Sequence, residues 1–140
     1  ILKNTLISLQ GIASQKNNEI RIVSDIKSME IEYDPDRLKQ VLNNLLTNAM
    51  KFTKGGLIEI IVKDLGDFVK ISIKDNGIGI AYDKQKNVFT RFAKLNTYTQ
   101  GTGLGLSLCK SIIESSNGKI YFTSVPNQGS CFSIEIPKRR

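Results

Sequence analysis

The 140-residue sequence contains no histidine. That removes the commonest general base and the commonest metal ligand, so chemistry on phosphates or with metal ions would have to use Asn, Asp, Lys and backbone amides. Cysteine is almost as scarce. Cys109 and Cys131 stand at no metal-ligand spacing and are too few for a secreted disulfide framework, so two reduced, partly buried thiols are expected. No apolar run approaches the ~18 residues of a membrane span. The stretch from Ile1 to Gln10 lacks the basic opening and small-residue cleavage site of a signal peptide. A cytoplasmic location without direct membrane insertion is therefore expected, with a sensor or membrane segment left open for a longer parent. There is also no run of five basic residues and no basic stripe interleaved with aromatics, which argues against nucleic-acid binding despite a net charge of +7. Most of that charge reads as lysines scattered over a solvated surface; the rest would suit an anion such as a nucleotide.

What remains is the 40% hydrophobic, 24% charged balance of one globular domain spanning 1–140, with no internal repeat and no low-complexity segment. Ile1, Leu2, Leu6, Leu9, Ile12 and Ala13 stand close to helical spacing over residues 1–15. Glu19 to Val23 and Met29 to Tyr33 alternate like strands. Asp34-Pro35-Asp36 predicts a capped helix start, running to about Phe52 and ended by Gly55-Gly56. Leu57 to Asp64 and Phe68 to Lys74 read as a hairpin around Leu65-Gly66-Asp67. Asp75 to Gly101 reads mostly as loop, with a short helical piece near Lys84 to Phe92; a loop this long in a compact domain points to function. A helix over Gly103 to Ser116 follows, then strands Lys119 to Val125 and Cys131 to Ile136, with Pro137 closing the domain. The pattern predicts an α+β fold: a mixed, mostly antiparallel sheet of about five to six strands covered on one face by three helices.

On the helix 35–52, Leu38, Val41, Leu42, Leu45, Leu46 and Ala49 share one broad face. Asn44, Asn48 and Lys51 fall on a different stripe, being spaced i+4 and i+3. Asparagine is a poor helix former because its amide competes for the backbone, so two of them one turn apart beside a lysine suggest a site. A neutral amide oxygen can ligate Mg²⁺, the amide nitrogen can donate to phosphate, and the lysine adds positive charge. On this helix alone, a solvated polar face explains the pattern equally well.

Two glycine loops follow. In Asp75-Asn76-Gly77-Ile78-Gly79, a carboxylate at a strand end beside two glycines can accept from an amine while the backbone comes close, although Asp-Asn-Gly is also an ordinary turn. Gly101-Thr102-Gly103-Leu104-Gly105 precedes an apolar helix, where free amides at the N-terminus suit phosphate. Its spacing is neither the dinucleotide fingerprint nor a P-loop, since it follows a loop and no Lys-Ser or Lys-Thr comes after the glycines.

In this order, these segments resemble the histidine kinase branch of the GHKL ATPases over nearly the whole chain. Asn44 to Thr53 looks like that family's N box, Asp75 to Gly79 its first glycine box, Val88 to Phe92 its F box, Gly101 to Gly105 its second glycine box, and Gly129 to Pro137 its terminal strand. Each box alone is a weak or moderate signal; four in register are a strong one. The resemblance implies a Bergerat-type two-layer α/β sandwich with a long ATP lid from about Ile80 to Gln100. It implies that Asn48 ligates Mg²⁺, Asn44 supports the phosphates or the metal, Lys51 contacts phosphate and Phe52 lies against the nucleotide. Asp75 would accept from the adenine amine, with Gly77, Ile78, Gly79 and Ile80 lining the base pocket and Ser130 offering a hydroxyl nearby. Gly101, Thr102, Gly103, Leu104 and Gly105 would serve the phosphates, with Phe92 and Lys94 contributing from the lid. Lys94 stands where many members place arginine, which keeps the charge but loses the bidentate fork. Ala81-Tyr82 replaces a common proline.

The function implied is ATP-dependent phosphorylation of a histidine on a separate dimerisation domain in two-component signalling, with a response regulator reached through the parent. With no histidine in this sequence, the phosphoacceptor domain is expected to be absent and the isolated domain to be a monomer. Two alternatives stand beside this reading. A hydrolysing relative of the gyrase or mismatch-repair type would carry a carboxylate at position 44, where an amide has no basic lone pair to activate water. A GHKL-type regulator, either serine-kinase/anti-sigma-like or a degenerate kinase, would bind ATP without histidine transfer; intact boxes and Lys51-Phe52-Thr53 disfavour it.

Overall fold

The computed structural model describes residues 19–24, 33–53, 56–86, 88–89 and 105–138. Their elements are strand β1 (Glu19–Ser24), helix α1 (Pro35–Phe52), strands β2 (Leu57–Asp64) and β3 (Phe68–Asp75), the single-turn α2 (Tyr82–Gln85), helix α3 (Gly105–Ser115), and strands β4 (Lys119–Val125) and β5 (Gly129–Pro137). The expected first helix over residues 1–15 and the strand from Met29 lie outside the described residues; Tyr33 is described, as a bend before α1.

Helix α1 starts where its sequence says it should. The Asp34 carboxylate accepts from the amides of Asp36 and Arg37, and Pro35, which has no amide to leave orphaned, opens the first turn. Its apolar face, including Leu38, Leu42, Leu45 and Leu46, is fully buried. Truncating one of these leucines to alanine would cost about 2–5 kcal/mol.

The five strands form one sheet in the order β1-β2-β3-β5-β4, parallel between β1 and β2 and antiparallel elsewhere. Strand register aligns the core into rows. Ile22, Ile60, Ile73, Phe132 and Phe122 make one; Val62, Ile71, Ile134 and Ile120 make the next. Helices α1 and α3 pack on this face, α3 through Cys109, Ile112 and Ile113. The opposite face carries Lys63, Lys70, Lys74 and Tyr121, with the Ser72 and Ser133 hydroxyls paired at 2.8 Å.

Two expectations shift. Of the helical piece placed near Lys84 to Phe92, the described residues show one helical turn at Tyr82–Gln85, which starts two residues before the expected one. Beyond it, Val88 is buried in the core and Phe89 lies edge-on against Phe122 and Phe132. Strand β5 begins two residues early and ends one later, because Gly129 pairs with Val125, Ser130 with Asp75, and Pro137 with Phe68.

Candidate functional site

One row of the core face turns polar across three of its strands. At the end of the sheet, Ile58, Asp75, Ser130 and Ser124 stand side by side across β2, β3, β5 and β4. Asp75 occupies the place in the β3 alternation that Val69, Ile71 and Ile73 fill with hydrocarbon, and it is only 5% exposed. Its Oδ1 accepts from the Gly77 amide at 3.0 Å and the Ser130 amide at 3.3 Å. Burial pushes its pKa up; the hydrogen bonds from Gly77, Ser130 and the Thr53 side chain pull it back only in part. Oδ1 takes two backbone amides and the Thr53 side chain also bonds the carboxylate, whose remaining lone pairs could accept a donor arriving from outside the sheet.

The loop after Asp75 is held from both sides. Asn76 Oδ1 accepts from the Leu57 amide at 2.8 Å, and the Ile78 carbonyl accepts from the Asn127 amide at 2.7 Å. Gly79 has φ +70 and a Cβ there would collide with the Val125 carbonyl. Gly129 has φ +123 and a Cβ would collide with the Asp75 carbonyl. Both positions need glycine for conformation and for space. Among the loop's side chains, Ile78 is 46% exposed and Ile80 is buried.

Helix α1 brings its stripe to the same end of the layer, because Thr53, at its C-cap, reaches Asp75. Asn44 and Asn48 are half-buried and Lys51 is exposed. The Asn44 side chain hydrogen-bonds the Cys109 thiol on α3, whose pKa burial pushes up to about 11. Neighbouring Asn43, which falls off the predicted stripe, keeps a buried Oδ1 without a hydrogen-bond partner. The helix position of Phe52 is described but its side chain is not, and Phe92, Lys94 and Gly101 to Leu104 lie outside the described residues. Gly105 opens α3.

Among the described residues, no cluster of three or more His, Cys, Asp or Glu could hold a metal. A cation here would have to be shared between an asparagine amide and the oxygens of a bound ligand. That donor set fits Mg²⁺, which keeps several waters and takes few protein ligands. No helix among the described residues is long and apolar enough to cross a membrane. A separate cavity of about 470 Å³ opens at Tyr33, Arg37, Ser116 and Pro137, at the other end of the sheet. Part of its polar lining is already engaged: Tyr33 Oη and Ser116 Oγ pair at 2.7 Å, and Asp34 caps α1.

Gln85, Ser124, Asn76 and Thr53 have a part in this site that the sequence reading did not single out. Their importance comes from strand register and loop return, which no local pattern encodes.

A buried carboxylate beside a glycine loop, facing a helix that carries amides and a lysine, defines a nucleotide-binding α+β domain. Comparison with known proteins narrows this. The family described as histidine kinase-, DNA gyrase B-, and HSP90-like ATPase matches residues 33–140. The sensor protein kinase WalK of Staphylococcus aureus is 38% identical over 96% of this chain, which spans 34% of that protein. The catalytic domain of the histidine kinase ThkA, nucleotide-free, superposes with a TM-score of 0.83 at 34% identity, over 98% of this chain and 90% of that one. ThkA in complex with the response regulator protein TrrA gives 0.78 at 29% identity, covering 98% and 39%. Full-length ShkA in complex with AMPPNP gives 0.86 at 28%, covering 98% and 30%. The chain belongs to this ATPase family, and within it to the catalytic domains of histidine kinases.

Proposed function

We propose that residues 1–140 form one domain that binds Mg-ATP and donates the γ-phosphate to a histidine on a separate dimerisation domain. The observation that carries the reading is Asp75, buried at the end of a core row with Oδ1 fixed by two amides. In this reading Oδ2 accepts from the adenine amine, and Gly77, Ile78, Gly79, Ile80 and Ser130 surround the base. Asn44, Asn48 and Lys51 serve the phosphate end with the Gly101 to Gly105 segment. Phe52 lies against the nucleotide, and Phe92 and Lys94 approach from the lid.

Mg²⁺, held by Asn48 and phosphate oxygens, would supply charge neutralisation at the phosphates. The transfer breaks the bond between the γ-phosphorus and the β,γ-bridging oxygen and forms a phosphorus–nitrogen bond to the imidazole. ADP leaves and the imidazole proton goes to solvent. Phosphoryl transfer needs mainly positioning and charge neutralisation, which suits a site without histidine. The amide at Asn44 favours transfer over hydrolysis, because it cannot deprotonate water. The parent's response regulator would take the phosphoryl group next, as the ThkA–TrrA complex suggests by analogy. The isolated domain is read as a cytoplasmic monomer.

The test mixes the domain with γ-labelled ATP and a histidine-bearing dimerisation domain of a histidine kinase. Acid-labile, alkali-stable label on that partner is expected. Tight ATP binding with no label transferred to a dimerisation domain taken from the same parent would instead favour an ATP-binding regulator.

A further inference from the structure

The exit of the first glycine loop is fastened by a side chain to which the reading above gives no role. Gln85, the last residue of α2, turns back so that its Nε2 donates to the Ile80 carbonyl at 2.9 Å and to the Ser124 carbonyl at 3.1 Å. Both partners are backbone acceptors, so the nitrogen end of the amide must face them. The same two residues meet a second time, where the Ile80 amide donates to Ser124 Oγ at 2.8 Å. That hydroxyl pairs in turn with Ser130 Oγ at 2.8 Å, and the Ser130 amide donates to Asp75. A polar chain therefore runs from Gln85 through Ser124 and Ser130 to the buried carboxylate.

The chemistry of position 85 is restrictive. Two carbonyls need two donors on one neutral, planar group at the end of a three-atom stem. Glutamate presents acceptors to acceptors, and an apolar side chain leaves both carbonyls without this partner. Among the described residues no other side chain bonds the Ile80 carbonyl, whereas the loop's earlier residues are held by Leu57 and Asn127.

We propose that Gln85 is a positioning residue for nucleotide binding: it clamps the end of the Asp75–Ile80 loop to β4 and so sets the base-binding edge of the site. The proposal rests on the ATP reading above. Loss of the clamp weakens binding at the base end and leaves the transfer step alone once the site is filled.

The experiment titrates ADP and adenosine calorimetrically into the wild-type domain, Gln85→Met and Gln85→Glu, with melting curves for each. Label transfer from saturating ATP to a histidine-bearing dimerisation domain is measured in parallel. Gln85→Met keeps the length of the side chain and removes both donors. Affinity for ADP and for adenosine is expected to fall together by about tenfold in both variants, while the rate at saturating ATP stays within about twofold. Unchanged affinity in a folded variant, or a loss confined to the saturated rate, overturns the proposal. If Gln85→Met does not fold, Gln85→Glu decides by the same criteria. If the wild-type domain itself fails to bind ADP, the ATP reading falls; if the wild type binds and the variants bind equally well, only the role of Gln85 falls.

Discussion

The two ends of the candidate site are built differently. The base end is made of backbone: Asp75 is held by amides from β5 and its own loop, the loop is tied to β2 and β4, and two glycines sit where no side chain fits. The phosphate end, within the described residues, is a stripe of side chains on α1, half-buried at Asn44 and Asn48 and exposed at Lys51. The first is fixed by folding itself. The second has its amides and cation in place, and a bound phosphate group would give them one common target. The base end should therefore respond to substitution through geometry, and the phosphate end through charge and metal.

The largest effect is expected where geometry is tightest. Gly129→Ala forces a Cβ into the Asp75 carbonyl at a positive φ. It should cost about 3 kcal/mol of stability and abolish measurable ADP binding; thermal melts and calorimetry check both. A wild-type melting temperature would break the view that the base end is sterically fixed.

Asp75→Asn comes next and separates function from fold. Asparagine Oδ1 can still accept from Gly77 and Ser130, but a donor replaces Oδ2. Affinity for ADP should fall by about 100-fold. Stability should not fall, because the folded protein holds the Asp75 pKa above its ordinary value, so the ionised carboxylate is a burden to the fold. That burden is present above the raised pKa and is relieved as pH falls through it, so at neutral pH the variant should melt no lower than the wild type. ADP binding by the wild type should weaken on acidification, beginning at a pH above the usual carboxylate range; a pH-independent affinity down to that range would contradict this.

At the phosphate end, Asn48→Ala should leave adenosine binding unchanged and lower ADP affinity by about tenfold in Mg²⁺. The loss should shrink when EDTA is present. A loss equal for adenosine and ADP would erase the distinction between the two ends. The smallest effect is expected at Cys109, behind Asn44. Its raised pKa keeps it a thiol, so in the native domain a maleimide should label Cys131 and spare Cys109, as read by mass spectrometry. Cys109→Ser, which keeps a donor for the Val41 carbonyl and an acceptor for the Asn44 amide, should change ADP affinity by less than about twofold.

Much of the scaffold was legible because its signals are local. Asp34-Pro35 marks the start of α1, leucine periodicity marks its buried face, and Leu65-Gly66-Asp67 marks the β2–β3 turn. The short helix begins two residues before its expected start, where Ala81 supplies no side-chain cap to mark it. Asp75 could be named from its glycine loop, but its burial could not, since that follows from the register setting it between Ile58 and Ser130. Gln85 and Ser124 were invisible for the same reason: they meet across 39 residues of chain.

The most direct test needs no mutation. Titrating ADP and inosine diphosphate into the wild-type domain compares nucleotides that differ at one exocyclic position, an amine against a carbonyl. On the proposed reading the buried Asp75 carboxylate meets that position, so ADP should bind at least about thirtyfold more tightly. Equal affinities would mean that Asp75 does not read the base.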